Sequence, residues 1–151
     1  MYTRNLYLKK IQPFLGKPVI KVITGMRRVG KSCLLRQVIG LLEDSGVASE
    51  RILRIDKESL EFEHIKTYDD LNRETLSAFS GQKDLCYLIV DEVQEIEEWE
   101  RAIISLAARG DIDLAACWAH TRRRFYDVHQ ATASPIAREI LRQIAALYAI
   151  E

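Results

Sequence analysis

"VIKVITGMRRVGKSCLLRQVIGLLEDSG", residues 19–46, carries three structural signals in succession. The β-branched run from Val19 to Thr24, bounded by Pro18 and Gly25, predicts a strand. Leu34, Leu35, Val38, Ile39 and Leu42 recur at helical spacing and predict an amphipathic helix that Gly46 stops. Between the two, Gly25-x-x-x-x-Gly30-Lys31-Ser32 has the spacing of a phosphate-binding loop. Glycines let successive backbone N–H groups turn inward around phosphate oxygens. Lys31 supplies a point charge for the β- and γ-phosphates, and the Ser32 hydroxyl suits a place on Mg2+. The following helix aims the positive end of its dipole at the same anion. The candidate ATP-binding residues are therefore Gly25, Met26, Arg27, Arg28, Val29, Gly30, Lys31, Ser32 and Cys33. For Arg27 and Arg28 a solvated pair on a loop is an equal reading, and Cys33 is assigned to packing. A glycine-rich turn with an exposed lysine is the plain alternative for the loop as a whole.

Outward from this stretch, strand and helix signals alternate. "RILRID" (Arg51–Asp56) is a weaker strand candidate, and residues 58–80 predict loop and helix around "YDDLNRETLSAF". "LCYLIVDE" (Leu85–Glu92) is an apolar run ending in two acids, which suits a buried parallel strand. "EEWERAIISLAARG" predicts a helix with Trp99, Ile103 and Leu106 inward, and "DIDL" (Asp111–Leu114) begins another strand. The alternation predicts an α/β fold: a three-layer parallel sheet of the P-loop NTPase type, incomplete, followed by a helical C-terminal segment. A phosphate loop needs an acid at the end of a buried strand. Asp91 is assigned to Mg2+ and Glu92 to the general base that orients or deprotonates water. The alternative is that both acids simply end a strand and open an acidic stretch with Glu95, Glu97, Glu98 and Glu100.

Composition sets bounds around this reading. The 151 residues suit one ordinary domain, and 48% hydrophobic content supports a packed core. With 22 basic and 22 acidic residues, net charge gives no general argument for a nucleic-acid partner. Cys33, Cys86 and Cys117 are scattered and odd in number, which predicts free thiols in a reducing compartment. The polar start, broken by Pro13, does not read as a signal peptide, and no apolar run reaches membrane-span length. A cytoplasmic location without membrane attachment is expected.

"KPVIKVITGMRRVGKSCLLRQV" and "LIVDEVQEIEEWERAI" resemble the prokaryotic AAA-type ATPases whose core is followed by a C-terminal nuclease-like domain. The resemblance covers residues 1–114. It implies a Walker A loop at Gly25–Ser32 and a Walker B pair at Asp91 and Glu92, and Gln94 matches the family's "DE-V-Q" run. In that family a strand like "DIDL" leads into a polar sensor turn, a last core strand and the further domain. Here the chain passes from Leu114 into "AACWAH", so the sensor, a later arginine finger and one strand are expected to be missing.

Residues 115–151 differ in composition. They hold nine alanines against five in residues 1–114, and all eight lysines lie at or before Lys83. "CWAH-x-RR-x-F" and "SPIAREIL-x-x-IAALYAIE" are similar to part of the transposases of insertion sequence 66. None of that family's upstream acidic motifs is present, so no catalytic role passes to Asp127, Glu139 or Glu151. Cys117 and His120 with His129 lack the usual four-ligand zinc pattern. Arg122–Arg124 beside Phe125 and Tyr126 could contact nucleic acid, although a solvated charge run is the plainer reading. Ser134 and Pro135 form an N-cap and N1 pair, and Ile136, Ile140, Ile144 and Tyr148 then make an apolar stripe. The expected organisation is a truncated ATP-binding core, 1–114, and a transposase-like helical remnant, 115–151. The expected function is ATP–Mg2+ binding without sustained hydrolysis. The alternatives are a DNA-binding accessory segment and a gene-disruption product without selected activity; the sequence does not set the oligomeric state.

Overall fold

The computed structural model describes residues 4–25 and 29–118, with Arg138 and Arg142 as single exposed helical positions. Four strands form one sheet: β1 (Lys21–Thr24), β2 (Ile52–Asp56), β3 (Cys86–Asp91) and β4 (Ile112–Trp118). Their order is β1-β4-β3-β2 and every pairing is parallel. The helices are α1 (Asn5–Ile11), α2 (Lys31–Asp44), α3 (Tyr68–Ala78) and α4 (Trp99–Ala108).

The three layers follow from the period-two alternation of the central strands. Cys86, Leu88 and Val90 of β3, with Ile112, Leu114 and Ala116 of β4, pack against Leu71 of α3 and Ile103 and Leu106 of α4. Ile89, Ala115 and Cys117 face the other way, onto Leu8 of α1 and Leu34, Leu35 and Val38 of α2. Helices thus cover both faces of a parallel sheet, as the sequence predicts. Truncating the fully buried Leu35 to alanine is worth about 2–5 kcal/mol.

Local chemistry sets the ends of the elements. After α2, Gly46 adopts φ +87°, the Val47 N–H donates to Leu42 O at 3.0 Å, and the Gly46 N–H donates to Glu43 O at 2.9 Å. This pair of bonds closes the helix at the glycine marked from sequence. α3 opens on a capping box: the Thr67 hydroxyl accepts from the Asp70 N–H, and the Asp70 carboxylate accepts from the Thr67 N–H. β1 starts later than the apolar run suggests, because Val19 N–H is drawn into a turn with Lys17 O at 2.7 Å behind Pro18. β4 runs further than "DIDL": Ala115–Trp118 pair residue by residue with Lys21–Thr24. One strand therefore spans the position where the composition changes.

Among the described residues β1 is an edge strand, with Val19, Ile20 and Val22 exposed. At the start of the sheet, Lys21 forms a buried ion pair with Asp113 and also donates to Lys17 O at 3.0 Å. The second Asp113 oxygen accepts from the Gly16 N–H at 2.6 Å. No described helix is long and apolar enough to cross a membrane. Apart from Arg138 and Arg142, the predicted C-terminal helix with its stripe lies outside the described residues, as do Arg122–Arg124, His120, His129, Met26, Arg27 and Arg28.

Candidate nucleotide-binding site

Thr24 ends β1, Gly25 follows it buried, and the loop returns to α2 through Val29 and Gly30. A Cβ at Gly25 would lie 3.2 Å from Val29 Cγ2 and 3.7 Å from Lys31 Cδ. The loop and the stem of Lys31 therefore close tightly over a position where only glycine leaves room. Gly30 caps α2 in the left-handed region, φ +86°, and its carbonyl accepts from Leu34 N–H at 3.0 Å. Lys31, the first residue of the helix, is only 7% exposed although charged. Ser32 and Cys33 follow half-buried, and the Gln37 amide lies 3.9 Å from the Cys33 sulfur.

The parallel register brings the second half of the site to the same edge. Asp91 ends β3 opposite Asp56 of β2, and Cys117 on β4 lies opposite Ile23 of β1. Asp91 is 1% exposed, and its Oδ1 is buried without a hydrogen-bond partner. Its Oδ2 lies 3.8 Å from Arg54 Nη2, and that guanidinium is held at 2.5 Å by Asp56. Cys117 is fully buried. Burial pushes its thiol far above the ordinary range and the Asp91 carboxylate pushes the same way, while the Lys31 charge opposes them. The thiol thus stands within electrostatic reach of both the loop lysine and the strand-end acid.

Glu92 leaves the strand in the left-handed region, φ 54° and ψ 46°, which costs a non-glycine residue roughly 1–3 kcal/mol. That turn redirects the chain into the 3-10 segment Val93–Glu95. The Gln94 side-chain amide donates to Glu92 Oε2, so the glutamine of "DE-V-Q" clasps the glutamate. A buried carboxylate oxygen with no partner is a hard acceptor in a place where leaving it unmatched is costly. An oxygen of this kind is one that a hard cation such as Mg2+ could match.

Of the residues assigned from sequence, Gly25, Val29, Gly30, Lys31, Ser32 and Cys33 lie in or next to the loop, and Asp91 and Glu92 end the neighbouring strand. Three further groups were not marked in advance. Arg54 alternates with the apolar Leu53 and Ile55 in β2, and an arginine on the α2-facing side of a strand was the available signal. Cys117 becomes visible only through β4's register. Arg4, whose guanidinium lies against Gly30, gives no sequence signal.

The AAA domain family matches residues 17–117. The chain belongs to that family. This AAA domain is 33% identical over 114 residues to an uncharacterized protein of Haemophilus influenzae, covering 76% of this chain and 28% of the relative. It is also 33% identical over 76 residues to the uncharacterized protein y4qI of Sinorhizobium fredii, covering 50% of this chain and 13% of that protein. The chain thus spans less than a third of either relative. No solved structure matches it significantly. Membership in the AAA family, with the four-stranded parallel sheet, indicates a nucleotide-binding fold of the ATPase type.

Proposed function

We propose that this AAA domain binds ATP with Mg2+ at the C-terminal edge of its sheet, using Gly25–Ser32 for the phosphates and Asp91 for the cation. The observation that carries the reading is the partnerless, buried Oδ1 of Asp91. Such an atom is expected where a ligand completes the site. In this reading Lys31 neutralises phosphate charge, Ser32 and Asp91 hold the cation, and Glu92, steadied by Gln94, faces the reacting water. Met26, Arg27 and Arg28 complete the loop.

The proposal is limited to binding of the nucleotide. The test is the melting temperature of the full chain with and without millimolar Mg–ATP. Binding at a hundred times the dissociation constant adds about 2.7 kcal/mol and a clear upward shift. Lys31→Ala abolishes that shift; an unchanged wild-type melting curve at millimolar Mg–ATP rejects the reading.

A further inference from the structure

Arg4 precedes α1 and lies outside the stretch that matches the AAA family. Its backbone N–H donates to Oε1 of Gln37 on α2 at 3.0 Å. One turn later, Leu8 sits in the apolar cluster with Leu34, Leu35 and Val38. These two contacts lay α1 along α2 and bring the Arg4 side chain to the start of that helix. The guanidinium lies directly against Gly30: a Cβ built there would meet Nη2 at 2.6 Å, Cζ at 3.1 Å and Nε at 3.5 Å. Gly30 is therefore required twice, once for its positive φ and once because the guanidinium fills the space a side chain would need.

Nothing among the described residues neutralises that guanidinium by an ion pair. It stands against Gly30 at the positive end of the α2 dipole, where a cation is unfavourable until an anion joins it. An arginine presents its donors as a planar fork that matches phosphate oxygens in pairs. We propose that Arg4 is a further phosphate-binding residue of this site, a second cation carried to the loop by α1 and directed at the di- or triphosphate of the nucleotide. This rests on the ATP-binding reading above. It makes α1 part of the binding site and gives Gln37 and Leu8 a positioning role for the guanidinium.

The test measures binding of Mg–ATP and of inorganic tripolyphosphate to the full chain by calorimetry, at two salt concentrations. Arg4→Met keeps the aliphatic stem and removes the charge; it is expected to weaken both ligands about 10-fold, the scale of one lost charge-assisted hydrogen bond. It should also reduce the salt dependence of binding, which a purely structural role would leave unchanged. Arg4→Lys should recover much of the affinity. If wild type binds Mg–ATP and Arg4→Met binds it equally well, Arg4 has no part in phosphate recognition while the ATP site stands. If Arg4→Met and Arg4→Lys are equally weak and both melt earlier without ligand, Arg4 is structural and the proposal is overturned. If wild type binds neither ligand, the ATP reading fails and the role of Arg4 fails with it.

Discussion

Each end of the sheet has a buried lysine and a buried aspartate, and the two aspartates differ in how their oxygens are matched. At the start of the strands, Lys21 and Asp113 meet directly, and both Asp113 oxygens are used: one by the ammonium, the other by the Gly16 N–H. At the far edge, Lys31 and Asp91 are equally buried, yet Asp91 keeps one oxygen without a hydrogen-bond partner. Buried charge that is fully matched holds a fold in one arrangement; buried charge left unmatched has desolvation that a ligand can offset. In the proposed reading the same residue types serve stability at one edge and recognition at the other, and their hydrogen bonds tell them apart.

The largest effect should come from unbalancing the matched end. Lys21→Met leaves Asp113 buried as an uncompensated charge, a loss of about 3–5 kcal/mol. Asp113→Asn removes the countercharge from Lys21 and should be destabilising in the same direction. Both are read by urea unfolding of the ligand-free chain. Since neither residue touches the phosphate loop, a variant that remains folded should keep its Mg–ATP-induced rise in melting temperature. A stable Lys21→Met chain would show that the two ends are not distinguished in the way their hydrogen bonds indicate.

The same substitution at the other end should have the opposite sign. Asp91→Asn removes a buried carboxylate that Arg54 approaches only to 3.8 Å, a guanidinium already held by Asp56. Relief of that desolvation should raise ligand-free stability by roughly 1–3 kcal/mol. The Mg2+ dependence of nucleotide binding should fall away in the same variant. Opposite stability changes in Asp91→Asn and Asp113→Asn are the sharpest form of the comparison; a loss of stability in both would erase it.

Much of this contrast was legible before the fold was known, but unevenly. The strand–loop–helix around Gly25–Ser32 and the buried strand of "YLIVDE" could be read because they are encoded in local spacing and in the strand and helix patterns around them. Lys21 and Asp113 could not, since nothing local links residues from β1 and β4 until the parallel register sets them side by side. Arg54 and Cys117 reach the site for the same non-local reason. The continuation of β4 through Ala115–Trp118 shows the limit of compositional reasoning: small and aromatic residues that mark a change in sequence character still satisfy β1's hydrogen bonds. Arg4 depends on a helix–helix contact and could not have been found from motif or period.

The smallest effect belongs to a third, half-exposed arrangement, where α3 begins beside the chain leading into α4. Thr67 N–H, Thr67 hydroxyl and Lys66 N–H all converge on Asp70 Oδ2, at 3.0, 2.9 and 3.1 Å. Hydrogen bonds from the Thr67 side chain and backbone, then from the Lys66 backbone, hold the Asp70 carboxyl below the usual carboxylate range. A depressed carboxylate pKa contributes stability that is present above the unfolded value, near 4, and is lost as pH falls through the lowered folded value. Thr67→Ala should cost about 1 kcal/mol at neutral pH, the worth of one N-cap. Asp70→Asn should flatten the acid limb of the stability curve below pH 4 while leaving Mg–ATP binding at its wild-type strength. Because this capping box is matched internally, like the Lys21–Asp113 end, its loss should appear in stability alone. A change in nucleotide affinity would instead make the start of α3 part of the binding edge.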